Sequence, residues 1–202
     1  MVSLRLSAAA SNAATALKIT ATLVAGIALG LLATWLIVIR GGMPGGVNDG
    51  PWRTNLSTGS VAGDIYTRAA VAVHGLLALN RNETIYYTTF ADDDGNSFDG
   101  NCTYQITGHD PDARWWSITA YASDDFLIPN AADRYSISKT TVRREEGGGF
   151  IATVGADAVA KNWIPVAAND KFSLTLRLYN PGAGIVGDPE HASLPSIKKV
   201  SC

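Results

Sequence analysis

The sequence predicts a mainly β protein: an antiparallel β-sandwich or barrel preceded by one transmembrane helix and one short amphipathic helix. Three observations carry this prediction. Residues 19–39 (ITATLVAGIALGLLATWLIVI) run for 21 residues without a charge, between Lys18 and Arg40. Residues 61–79 repeat apolar positions at spacings of three and four. From residue 84 onward the period changes to two, in short segments punctuated by Gly, Asp, Asn and Pro.

At 1.5 Å per residue the apolar run is about long enough to cross a hydrocarbon core of roughly 30 Å. It is longer than the apolar core of a signal peptide and ends in Trp35-Leu36-Ile37-Val38-Ile39-Arg40, with no small-x-small cleavage site. No Cys follows it closely, which argues against a lipoprotein. Residues 19–40 therefore read as an uncleaved signal anchor and residues 1–18 as a cytoplasmic tail. Within the span, Thr22, Gly26, Gly30 and Thr34 recur every four residues. Small residues at that spacing let a second helix approach closely, so self-association or docking on other membrane-protein subunits is expected there. Chance is the competing explanation, because Gly is common in spans.

Residues 41–60 hold so many Gly and Pro that they read as a linker. Residues 61–202 then form the ectodomain, a helix plus the sandwich. On the helix, Ile65, Ala69, Ala72, Val73, Leu76 and Leu79 share one face, and Asn80-Arg81-Asn82 ends it. Strands are expected at residues 84–90, 103–108, 115–121, 134–139, 150–154 and 172–179. The last is the cleanest. Phe172, Leu174, Leu176 and Leu178 alternate with Ser173, Thr175, Arg177 and Tyr179. About seven strands are anticipated, and residues 181–202 read as an irregular tail.

Residues 41–202 carry the other 13 basic residues and all 18 acidic ones, a net charge of −5. That balance argues against nucleic acid as a partner. Cys102 and Cys202 are the two cysteines. Their distance apart in an anchored domain points to one disulfide in an oxidising compartment, and two buried free thiols are the alternative. The disulfide places the ectodomain in the periplasm of a bacterial inner-membrane protein, N-terminus inside.

Several motifs together resemble a bacterial domain. They are residues 92–102 (DDDGNSFDGNC), 113–121 (ARWWSITAY), 134–137 (RYSI), 162–165 (NWIP) and 172–181 (FSLTLRLYNP). In this order they resemble the domain-of-unknown-function family 1214, over roughly residues 64–200. The resemblance implies a jelly-roll-like sandwich and supplies no catalytic residues. Longer relatives often carry a companion domain, family 1254, on the N-terminal side. Here the span and one helix take its place.

The acidic loop offers Asp92, Asp94, Asn96 and Asp99 as oxygen ligands for Ca²⁺. In the EF-hand frame, however, the sixth position is Ser97 and the twelfth Thr103. Asp, Asn and Gly are also what turns prefer, so turn chemistry is the favoured reading and no cofactor is expected. Trp115 and Trp116 are adjacent and point to opposite faces of a strand. One belongs in the core. The other lies under the helix or linker, or joins Tyr121 and Tyr179 in an aromatic platform for sugars or peptides. Trp163 reads as a plug at one end of the sandwich. His74, His109 and His191 match no metal spacing. A hydrolase would need a pocket gathering His109, Asp110 and the carboxylates of residues 92–99, and no G-x-S-x-G elbow is present. An accessory or interaction protein, an envelope glycan- or small-ligand-binding module, and a hydrolase are the three functional readings, in that order.

Overall fold

The computed structural model describes residues 2–40, 46–74, 77–156 and 161–202. The chain divides into two units, residues 1–42 and 43–202. The first is a helix, α1 (Val2–Trp35), continued by a π-helical turn at Leu36–Arg40. The helix starts well before the apolar run, because Ala-rich residues 8–16 contain no Gly or Pro to stop it. Its stretch Ala14–Ile39 has a mean hydropathy of 2.4 over its best window and is long and apolar enough to cross a membrane. Leu23, Ile27, Leu31 and Trp35 are exposed along it.

The second unit is a sandwich of two sheets, with ten strands among the described residues. Six strands form the first sheet: β1 (Val47–Asp49), β2 (Trp52–Thr54), β3 (Thr84–Thr89), β9 (Phe172–Pro181), β5 (Ala113–Ala122) and β6 (Ser136–Ser138), in that spatial order. Four form the second: β10 (Ser196–Ser201), β4 (Thr103–Gly108), β7 (Phe150–Gly155) and β8 (Trp163–Pro165). The core lies between them. Leu174, Leu176 and Leu178 of β9, Ile85 and Tyr87 of β3, and Trp116, Ile118 and Ala120 of β5 face Tyr104, Ile106, Ala152, Val154 and Ile164 of the second sheet. Trp116 is fully buried and stacks on Phe150 at 4.9 Å. Burial pushes the Tyr87 phenol well above its usual range, which keeps it protonated and donating to the Pro189 carbonyl at 2.9 Å.

Four expectations are corrected. First, the residues read as a linker contain the hairpin β1–β2. Gly50, at φ +57°, and Pro51 form its two-residue turn, so this Gly-Pro pair is turn chemistry inside a sheet. Trp52 is buried, and its indole N–H donates to the Pro195 carbonyl at 2.7 Å. Second, residues 181–202 are ordered structure: a short helix α3 (Ala183–Gly187), a 3-10 turn (Pro189–His191), and β10 paired with β4. β10 shows one buried apolar residue, Ile197, beside Lys198 and Lys199, too little for a period to register. Third, β8 runs parallel to β7, so the second sheet is mixed. Trp163 belongs to β8, half-buried, and donates to the Gly155 carbonyl at 2.9 Å.

Fourth, the amphipathic helix is α2 (Ile65–Val73), shorter than residues 61–79. The Asp64 carboxylate caps it, accepting from the Thr67 N–H at 2.8 Å. Its buried residues are Thr67 and Ala70, while Ile65 is 75% exposed and Val73 is also exposed. The apolar stripe is therefore not the buried face. The small side chains turn inward, and the Thr67 methyl sits beside Gly63. Leu76 falls outside the described residues.

Cys102 and Cys202 are bonded, closing a 100-residue loop and fastening the segment after β10 to the residue before β4. Loop-closure entropy in the unfolded chain makes such a link worth about 2–5 kcal/mol. The full-length Cys202→Ser protein should therefore unfold at a clearly lower urea concentration and with a steeper slope, because the unfolded chain freed of the cross-link exposes more surface. An unchanged midpoint would mean that β10 holds without its cross-link.

Candidate functional site

The acidic loop is occupied by its own backbone. Asp92 is buried, and its Oδ1 accepts from the Asp94 and Asn96 N–H groups at 3.1 and 2.8 Å. Asp93 accepts from the Ile197 N–H of β10 at 3.0 Å. Asp99 accepts from the Asn101 N–H and from Lys171 Nζ, both at 3.0 Å. These carboxylates shape the turn leading into Cys102 and β4. Among the described residues, no three His, Cys, Asp or Glu side chains gather where a metal ion would sit.

The hydrolase constellation is not assembled. His109 and Asp110 follow the end of β4, whereas residues 92–99 precede its start. The length of the strand, about 20 Å for six residues, separates them. The Asp110 carboxylate accepts from the Trp116 indole at 2.8 Å and from Arg144 at 3.0 Å, which makes it a core-edge anchor. His74 bonds Asp125 at 2.7 Å and His191 bonds Asp188 at 3.0 Å, far from one another in sequence and on separate elements.

The aromatic residues do share one surface, the outer face of the six-stranded sheet. Alternation places Leu174, Leu176 and Leu178 inward, so Ser173, Thr175, Arg177 and Tyr179 turn outward. The register then aligns three rows across the sheet. Tyr86, Arg177, Ser117 and Ser138 form one. Thr88, Thr175, Thr119 and Ser136 form the next toward the C-terminal end of β5, and Tyr179 with Trp115 flanks the first on the other side. Tyr121 lies one row further, opposite Ser173. Trp115 and Tyr179 are half-buried and meet edge to face at 5.2 Å.

Arg177 sits in the middle of this face on the central strand. Its guanidinium lies 5.3 Å from the Tyr121 ring centroid and 6.0 Å from that of Tyr86. It donates to the Tyr121 hydroxyl at 2.6 Å and to Thr119 Oγ1 at 3.4 Å. No carboxylate among the described residues pairs with it. Tyr86 in turn donates its hydroxyl proton to the Leu77 carbonyl, and His74 bonds Asp125 in the turn after β5. The segment after α2 is thus tied to this side of the sheet at two points. Sequence alternation puts Arg177 beside Tyr179 on the outward face. What it misses is Tyr86 and Thr119, because they join Arg177 only through pairing between distant strands.

The sequence matches the family described as "Protein of unknown function (DUF1214)" over residues 83–183. The chain belongs to the DUF1214 family. The matched stretch is shorter than the 64–200 expected from motifs, yet it spans β3 to β9 and contains every residue of the outer-face rows. The α2 helix, the β1–β2 hairpin and β10 lie outside it. Among solved structures, the DUF1214 chain is similar to the VPA0106 protein of Vibrio parahaemolyticus, with a TM-score of 0.56 and 23% identity over 69% of this chain and 36% of that one. An uncharacterized protein from Burkholderia cenocepacia aligns with a TM-score of 0.42 and 13% identity over 84% of this chain and 39% of that one. The chain thus spans well under half the length of either. Among curated proteins, none matches.

The Asn101 N–H, followed by Lys171, holds the Asp99 carboxyl below the usual carboxylate range. Its folded value is depressed, so its contribution to stability is present above the unfolded value and lost as pH falls through the folded one. Carboxyl NMR titration should give Asp99 a midpoint below an ordinary Asp. Lys171→Met should raise that midpoint only part of the way, because the Asn101 bond remains. A full return to the ordinary value would assign the shift to Lys171 alone.

Proposed function

We propose that this DUF1214 protein is a single-pass protein of the bacterial inner membrane. In this reading α1 is the anchor, the N-terminus is cytoplasmic, and the sandwich domain stands in the periplasm as an accessory or interaction subunit. The observation that carries the reading is the apolar helix Ala14–Ile39, unburied by protein and continuous with a disulfide-bearing domain. At 26 residues it is about 39 Å long, enough to span with some tilt. Arg5 and Lys18, with no acid before the span, favour an inside N-terminus, and the disulfide favours an oxidising compartment for the domain. Gly26 and Gly30 have no neighbour within 4 Å of where a Cβ would stand, so their side of the helix is open to a second helix. A second reading, an envelope glycan- or small-ligand-binding module, is favoured by the outer face with Trp115, Tyr179, Tyr121 and Arg177.

Protease added to spheroplasts should destroy a C-terminal epitope and spare an N-terminal one. The reverse pattern would invert the topology. Purification of tagged protein from its native membrane in mild detergent should recover a stoichiometric membrane partner or a second copy. Replacing both Gly26 and Gly30 with Leu should lose that association and leave the protein in the membrane fraction. Undiminished association after the double change would remove the role given to this helix face.

A further inference from the structure

We propose that the outward side of α2, with the turn after β5 beside it, rests in the surface of the bilayer that holds α1, and that lipid acyl chains are its partner. The inference rests on the reading of α1 as the anchor. It adds a second, non-covalent attachment of the domain to the same membrane.

The first argument is the inverted helix. At about 3.6 residues per turn, Ile65, Ala69, Ala72 and Val73 share one side of α2, and Thr67 and Ala70 lie on the other. A helix on a domain surface ordinarily buries its apolar side. Here Thr67 and Ala70 are buried, and Ile65 and Val73 face out. Neighbouring side chains extend the patch. Val61, just before the helix, is 94% exposed, and Leu77, just after it, is 79% exposed. The 2.7 Å bond between His74 and Asp125 brings the exposed Phe126 and Leu127 to the C-terminal end of α2. Elsewhere on the described part of the domain, the large exposed apolar side chains are the scattered Phe90, Ile151 and Val200. A contiguous apolar patch marks an interaction site, whereas scattered ones do not.

The second argument is what the patch lacks. Its polar neighbours are already engaged. Arg68 donates from Nε to the Gly63 carbonyl and from Nη2 to the Val61 carbonyl, both at 3.0 Å. The Asp64 carboxylate caps the helix, and Asp124 accepts from the Phe126 N–H at 3.1 Å. A folded partner is specified by hydrogen bonds and paired charges around an apolar centre. A lipid surface asks only for apolar area. Tyr66, partly exposed on the same side of α2, adds a ring with a polar tip, which suits the boundary between acyl chains and headgroups.

The third argument is reach. Six residues, 41–46, join the helical segment ending at Arg40 to β1. Fully extended, such a link reaches at most about 25 Å. It enters the domain at Val47, which pairs with Thr54. From there successive turns lead to the patch: the Thr58 N–H donates to the Asn55 carbonyl at 3.2 Å, Ser60 to Ser57 at 3.0 Å, and Gly63 to Ser60 at 3.1 Å. The patch thus begins a few compact turns from the point where the tether arrives. For a domain already tethered, the contact is intramolecular and needs little affinity of its own.

The test uses the full-length chain in phosphatidylcholine nanodiscs, one copy per disc, with the native disulfide kept and a nitroxide on one introduced cysteine. Power-saturation EPR compares access by oxygen, which concentrates in lipid, with access by a water-soluble nickel chelate. Labels on Ile65→Cys, Val73→Cys and Phe126→Cys should favour oxygen severalfold more than a label on Ile151→Cys, on the outer side of the second sheet. Added salt should leave that ratio unchanged, because the attraction is apolar. Three separate exposed sites keep the answer independent of the folding of any one variant. Leu32→Cys, on the side of the span away from Gly26 and Gly30, reports on the anchor. Water-like values at all three patch sites beside a lipid-like Leu32 label would overturn the lipid contact and leave the anchor standing. A water-like Leu32 label would remove the anchor reading and this inference together. Patch labels that are open to water in single-copy discs and closed to both reagents in two-copy discs would give the face to a second copy and overturn the lipid contact.

Discussion

The pairing of β9 between β3 and β5 is the constraint on which the domain depends. This one strand gives its inward side chains, Phe172, Leu174, Leu176 and Leu178, to the core and bonds a partner along both edges. Its neighbours come from far earlier in the chain. Closing those distances costs loop entropy, and burial of the leucines against the second sheet repays it. Once β9 is fixed, β5 and β3 have only one register that keeps Trp116, Ile118, Ile85 and Tyr87 inside.

That same register dictates the outer face. A strand with period two cannot bury Leu176 and Leu178 without turning Arg177 out between them. The flanking strands then supply Tyr86 on one side and Ser117 on the other. Tyr121, two rows away, reaches back with its hydroxyl. The cation is held by rings and hydroxyls because its neighbours in the sheet are Tyr, Ser and Thr rather than Asp or Glu. The core geometry and the candidate binding face are thus two sides of one pairing scheme.

The periphery closes around this frame with local devices. Asp64 caps α2, Gly50-Pro51 turns the first hairpin, and the Asp92–Asn96 turn positions the approach to β4. The disulfide fastens the last strand, whose own apolar content is small. The VPA0106 protein shares the fold at a TM-score of 0.56, and 23% identity carries the likeness no further than fold.

The sequence alone determined the elements whose period is long and strong: α1, and the strands at β3, β4, β5, β7 and β9. It also determined that Trp115 and Trp116 part to opposite faces, because adjacent strand residues must. The family was legible from residue identity in motifs that lie on β5, β6, β8 and β9 and in the turn before β4. Only the tertiary structure decided which weak segments became strands. β2, β8 and β10 hold too few inward apolar residues to show a period, and they exist because an open sheet edge accepts them. It also decided that Thr67 and Ala70, not the apolar stripe, face inward on α2. The association of Arg177 with Tyr86, Tyr121 and Thr119 likewise depends on registers between strands some 60 to 90 residues apart in the chain. No local pattern encodes such a register. It follows from which faces the whole sandwich can bury.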